Sequence, residues 1–174
     1  VPGNGMRVDL TDSQIQALLK ERKVLPADFQ RKISRRVSRL SHQRADVELK
    51  ALSGNRYCIM VRQSELNQLD FSAILGYYLP QTTSVFRLCR YNGKSHYHTN
   101  KVEGIRFRDF HIHMATERYQ RLGAREDAYA EPTGRFNTLA QAIHCLVVDG
   151  NCEPPVDPDQ KELSELLGEG DGTG

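Results

Sequence analysis

The 174-residue chain predicts a single α+β domain, with an N-terminal helical pair, an antiparallel sheet of about five strands, and C-terminal helices covering one face. Three observations carry this expectation. Apolar residues recur at helical spacing up to Leu40, at every second position from Ala45, and at helical spacing again after Ala115. The length suits one domain with a real core and is too short for two well-buried ones.

Residues 1–5, with Pro2, Gly3 and Gly5 ahead of Met6, read as a lead-in outside the fold. Thr11 or Asp12 caps a first helix that presents Ile15, Leu18 and Leu19 on one side and ends near Lys23. Pro26 opens a second helix whose apolar face is Phe29, Ile33, Val37 and Leu40. Its other face carries Arg31, Lys32, Arg35, Arg36 and Arg39, a row that can meet phosphates or an acidic partner, or simply face water. No helix-turn-helix pattern follows, which argues against sequence-specific DNA reading.

Residues 45–51 alternate apolar and polar, Ser53-Gly54-Asn55 supplies a turn, and residues 57–61 form a buried strand, so the two segments predict a hairpin. Residues 71–79 are a third strand, stopped by Pro80. Residues 84–91 are a fourth, ending at the Asn92-Gly93 turn, and residues 107–114 are the last. Residues 115–122 have helical composition and stop at Gly123. Asn137 caps a further helix with Leu139, Ala142, Ile143, Leu146 and Val147 on the face that packs on the sheet. The domain thus spans residues 6–152. Residues 153–174 form an acidic tail with one short amphipathic piece around Leu163, Leu166 and Leu167.

The net charge of +2 hides an asymmetry. Setting aside the tail's seven acids and one base leaves 23 basic and 15 acidic residues, a body of about +8. Such a body suits RNA or another polyanion, and the basic helix or acidic tail could meet a protein partner. The four cysteines contain no Cys-x-x-Cys pair, which predicts reduced thiols. No apolar run approaches the roughly 20 residues that span a bilayer, so the expectation is a cytoplasmic protein without a membrane segment.

Four of the six histidines lie between Phe86 and Tyr119, as the pairs His96/His98 and His111/His113, among Arg87, Arg90, Arg106 and Arg108. Strand residues two apart share a face, so each pair can present two imidazoles to one site. Around the second pair, Phe110, Ile112 and Met114 alternate with Asp109, His111 and His113, which places both histidines off the core face, toward solvent or a cleft.

Three chemistries could use this cluster. In metal-independent RNA cleavage, His111 and His113 are general base and acid, with His96 and His98 as a second pair, because imidazole offers both protonation states near neutrality. Arg90 would clamp the phosphate with Arg87 and Arg108 nearby, and Tyr91, Tyr97 or Tyr119 would stack on a base. No cofactor is needed in that scheme. Alternatively, His96, His98, His111, His113 and Glu103 could hold a divalent metal that activates water. In the third reading the histidines are structural, paired with Asp109 or Glu117, and the domain is a non-catalytic binding module. Gly-rich phosphate loops, nucleophile elbows and His-Glu-x-x-His motifs are all missing.

Two resemblances bear on the choice. His96-x-His98 followed by Glu103 resembles the first metal motif of the cupins, which implies a bound ion on those three residues. The stretch from Phe86 to His96 and the later Phe110-His-Ile-His113 are similar to small prokaryotic proteins in which an Arg-Tyr-Asn strand end leads to a histidine-bearing turn and a His-x-His strand. The TumE-type toxins of toxin–antitoxin pairs show that order. By this resemblance Arg90, Tyr91, His96, His111 and His113 belong to a toxin-like site for RNA cleavage, with a protein antitoxin as partner.

Overall fold

The structure is a computed structural model and describes residues 8–156. The expected lead-in falls outside this range, as does the amphipathic piece around Leu163. Helix α1 (Asp12–Lys20) begins with a capping box in which the Thr11 hydroxyl accepts from the Gln14 N–H and the Gln14 side chain accepts from the Thr11 N–H. It buries Ile15 and is over before Lys23, which instead starts strand β1 (Lys23–Val24). The Lys23 ammonium turns back and donates to the carbonyls of Leu18, Glu21 and Gly150, satisfying groups that a helix end leaves open.

The second helix is shorter than its spacing predicts. Helix α2 (Phe29–Ser34) buries Phe29 and Ile33, and the chain then enters strand β2 (Val37–Arg39). Leu40 and Ser41 both adopt positive φ, the twist of a tight hairpin turn, and lead into β3 (His42–Lys50). Val37 and Leu40 are 70% and 82% exposed, so their helical spacing with Phe29 and Ile33 had no apolar face behind it. The basic residues are therefore divided between a short helix and an edge strand.

Strands β3, β4 (Arg56–Ser64), β5 (Phe71–Tyr78) and β6 (Val85–Asn92) follow as an antiparallel meander, close to the predicted segments. The expected last strand is two strands. Residues β7 (His98–Asn100) and β8 (Ile105–Phe107) form a separate hairpin, and β9 (His111–Met114) joins the outer edge of β6. Helix α3 (Glu117–Arg121), capped by Thr116, leads to β10 (Tyr129–Pro132) outside β9. Helix α4 (Leu139–Asp149) is capped by Thr138, not by Asn137. It crosses β5 and β6, and β11 (Cys152–Glu153) then pairs in parallel with β1 at the opposite edge.

The described residues thus make a mixed α/β fold that is mostly sheet, in the order β10-β9-β6-β5-β4-β3-β1-β11 with β2 also on β3, well beyond five strands. Strand β11 includes Glu153, one residue past the domain limit expected at 152. One core lies between the sheet and α4, where Leu139, Ala142 and Leu146 meet the layer of Leu75, Cys89, Tyr91 and Phe136. All four cysteines are free thiols. Among the described residues no helix is long and apolar enough to cross a membrane.

Candidate metal centre

Antiparallel register sets Arg90 opposite His113 and Asn92 opposite His111, so these four side chains share one face of β6 and β9. Tyr91 and Ile112 occupy the other face. Tyr91 packs on Phe136 with ring centroids 5.8 Å apart and donates its hydroxyl proton to Asp149 at 2.5 Å. Tyr91 is a core residue and touches no part of the cluster. At the strand end, a Cβ on Gly93 would lie 1.9 Å from the Leu69 carbonyl oxygen, so only glycine lets the chain leave β6 toward His96 at this point.

Other parts of the chain cover the histidine face, which was expected to look toward solvent or a cleft. His111 is 0% and His113 3% exposed, because the β7–β8 hairpin and the segment before β10 fold over them. Buried Asn100 fastens that hairpin: its amide donates to the Ala130 carbonyl at 2.8 Å, and its oxygen accepts from the Ala130 N–H at 2.9 Å. Docking brings His98 onto the strand pair. Ring centroids are 4.7 Å apart for His98 and His113, 4.9 Å for His111 and His113, and 5.4 Å for His98 and His111.

Hydrogen bonds fix the tautomers. His111 Nδ1 lies 2.7 Å from the Asp109 carbonyl oxygen and His113 Nδ1 lies 2.8 Å from that of Asp127, so both must carry their proton there. His98 Nε2 likewise donates to Asn100 Oδ1 at 2.9 Å. The Arg90 guanidinium also comes within 3.2 Å of His113 Nδ1, but two donors cannot bond each other, and the carbonyl takes the proton. The unprotonated nitrogens are then Nδ1 of His98 and Nε2 of His111 and His113, and that of His113 accepts from the Asn92 amide at 3.4 Å. One nitrogen from each of the three rings lies within 4.8 Å of the others. Among the described residues His111 Nε2 is buried without a partner, as is Asn92 Oδ1.

Burial, chiefly, holds these imidazoles neutral. The His111 pKa is lowered to about 4, and that of His113 falls well below the ordinary range through burial and then the Arg90 charge. His98 is lowered by burial as well. Three neutral imidazoles, each anchored by its one N–H to an oxygen, match a metal-ligand set with its outer shell in place. To hold a tetrahedral ion with bonds of about 2.05 Å, the three nitrogens would have to approach to about 3.3 Å.

Charge around the cluster is positive. Asp127, fully buried, is shared by Arg90 at 2.9 Å and Arg125 at 2.5 Å, leaving one cation uncompensated. His98 and His113 reach a cavity of about 700 Å3 that also involves Arg90, Asn92, Tyr97 and Tyr119, and His111 sits behind them. His96 is exposed at the mouth, its ring 6.4 Å from His111, so three of the four imidazoles converge. Tyr97 is 56% exposed with Arg106 over its ring at 4.2 Å and Arg108 at 5.8 Å.

Other expected site residues serve elsewhere. Glu103, near the hairpin tip, accepts from the Tyr119 hydroxyl at 2.6 Å and pairs with Arg118, so the grouping of His96, His98 and Glu103 that the cupin resemblance implies is not assembled. Arg87 pairs with Glu126 at 3.6 Å, away from the cavity lining. Asp109 is exposed and offers His111 only its backbone, while Glu117 pairs with Arg121. Asn92, Asn100 and Asp127 were not anticipated. The two-residue spacing from Arg90 marks Asn92 as a member of the face; Asp127 lies in a stretch with no periodicity to read.

No protein-family model, curated protein or solved structure matches the chain. The class is defined by fold and site alone: a mixed, mostly β domain with a candidate three-histidine metal centre.

Proposed function

We propose that the protein is a metal-dependent phosphodiesterase acting on RNA, with a divalent cation held by His98, His111 and His113. One observation supports this most: three neutral imidazoles, each with its one N–H committed to an oxygen, bring nitrogens within 4.8 Å beside a roomy cavity. Imidazole suits zinc and iron, and such an ion, when bound, would supply Lewis acidity and a bound water that ionises near neutrality.

The chain's own groups supply the rest. Arg90 and Arg125, sharing one carboxylate, favour an anionic phosphate next to the imidazoles. Tyr97 offers an exposed face on which a base stacks, and Lys101 and Arg106 attract the backbone. His96, outside the cluster and open to solvent, can pass a proton to the leaving oxygen. Neutral, buried His111 and His113 are poorly placed for general acid catalysis at pH 7, which favours the metal over the metal-free scheme. A toxin setting with an antitoxin partner is carried by the sequence resemblance alone.

Purified protein assayed for metal and incubated with labelled single-stranded RNA tests the proposal. The expected result is one ion per chain, with cleavage lost on chelation and restored by added metal. Chelator-insensitive cleavage returns the roles to acid–base histidines. Stoichiometric metal without cleavage keeps the centre and removes RNA as substrate.

A further inference from the structure

A second basic surface lies away from the histidines, between α2 and the β2–β3 hairpin. Its groove of about 630 Å3 is lined by Arg31, Lys32, Arg35, Arg39 and Arg44 with Val37 at its side. Asp28 and Asp46 are its acids. Asp28 pairs with Arg31 at 2.8 Å and Lys32 at 3.4 Å. Arg35, Arg39 and Arg44 form no ion pair with any described residue, whereas most arginines elsewhere on the body do. Beside them Val37 and Leu40 stand exposed, and all three residues of β2 are open to solvent on a strand that pairs only with β3. A short edge strand with unpaired arginines and exposed aliphatic side chains is suited to an acidic, partly apolar segment in extended form.

The chain carries such a segment, and the topology aims it at this groove. Strand β1 meets β3 at Lys50 and runs antiparallel to it, while β2 meets β3 at His42, Gln43 and Arg44. Because β11 is parallel to β1, the chain leaves Glu153 heading along this edge toward β2. The gap along β3 from Lys50 to Arg44 is about 20 Å at 3.3 Å per residue. Residues 157–174 can reach up to about 60 Å. They hold six acids against one lysine, with Leu163, Leu166 and Leu167 among them.

We infer that the groove of Arg35, Arg39 and Arg44 is the docking site of the chain's own acidic residues 157–174, whose leucines cover Val37 and Leu40. The contact is ionic at its rim and weakens as salt screens it.

Amide exchange of residues 37–44, followed by mass spectrometry on the full chain, tests this. In low salt the wild type is expected to exchange there at least fivefold more slowly than a variant carrying D159N, E162Q, E165Q and E169Q. Salt of 1 M, on the order of a 3 Å screening length, is expected to erase the difference. Unchanged exchange in β4 and β5 verifies that the substitutions leave the fold intact. Equal exchange in both chains overturns the inference. Protection that grows with protein concentration assigns the groove to a second copy's segment and overturns docking within one chain. Equal exchange combined with protection by a single-stranded RNA oligonucleotide assigns the groove to nucleic acid instead.

Discussion

Arg90 and Tyr91 are neighbours on β6, as His113 and Ile112 are on β9, yet the two faces they define are buried by different means. On one side Tyr91 and Ile112 meet α4 and Phe136, an apolar cover whose cohesion scales with the area removed from water. On the other, a hairpin held by the Asn100 amide brings His98 onto the imidazoles of His111 and His113, beside Arg90 and the buried Asp127. Burying polar groups costs stability unless each is bonded, and here His111 Nε2 is not. One face therefore stabilises the fold, and the other holds groups ready for a ligand.

Substitutions on each side should separate these roles. His111→Ala removes one of three ligands. If a structural zinc site is worth roughly 10–16 kcal/mol, a third of that is on the order of 4 kcal/mol, a thousandfold loss of metal affinity. Calorimetric titration with zinc measures it. Leu146→Ala, on the buried face of α4 and 0% exposed, is expected to cost about 2–5 kcal/mol in urea unfolding and to leave metal stoichiometry unchanged. A variant that altered both properties equally would dissolve the distinction between the faces.

Acid acts on the histidine face through its buried imidazoles. His111 has a folded pKa of about 4. Its unfolded value is about 6.5, so the unfolded chain takes up the proton first. The contribution to stability is complete above pH 6.5 and is lost as pH falls toward 4, by about 1.4 kcal/mol per pH unit. His113, also lowered, adds in the same direction. Denaturation of metal-free protein at stepped pH should show this slope, and His111→Leu should flatten it. The smallest expected effect is that of Asn100→Ala, which frees His98 Nε2 from its acceptor and loosens the hairpin. A metal affinity lower by about 10- to 100-fold is predicted, read by the same titration.

The four-strand meander was legible in the sequence because its apolar residues alternate over long segments and its turns carry Gly, Asn or Pro. Two-residue β1 and β11 were not, since their pairing joins residues far apart and neither has a pattern of its own. At Val37 and Leu40 helical spacing competed with a tight hairpin, and the exposure of both residues shows that no core rewarded the helix. The site was half legible. Alternation assigned His111 and His113 to the face opposite the apolar core, but period two says which way a side chain points, not what lies over it. Their cover depends on Asn100 reaching Ala130 across 30 positions, and the choice of His98 over His96 as third ligand follows from that docking. Asp127 gave no local signal at all.

X-ray absorption on protein reconstituted with one equivalent of zinc tests the three-histidine centre most directly. The predicted spectrum has three imidazole nitrogens at about 2.0–2.1 Å with a light-atom ligand from solvent. A shell of oxygens without imidazole scattering, or failure to retain zinc at micromolar protein, would contradict it.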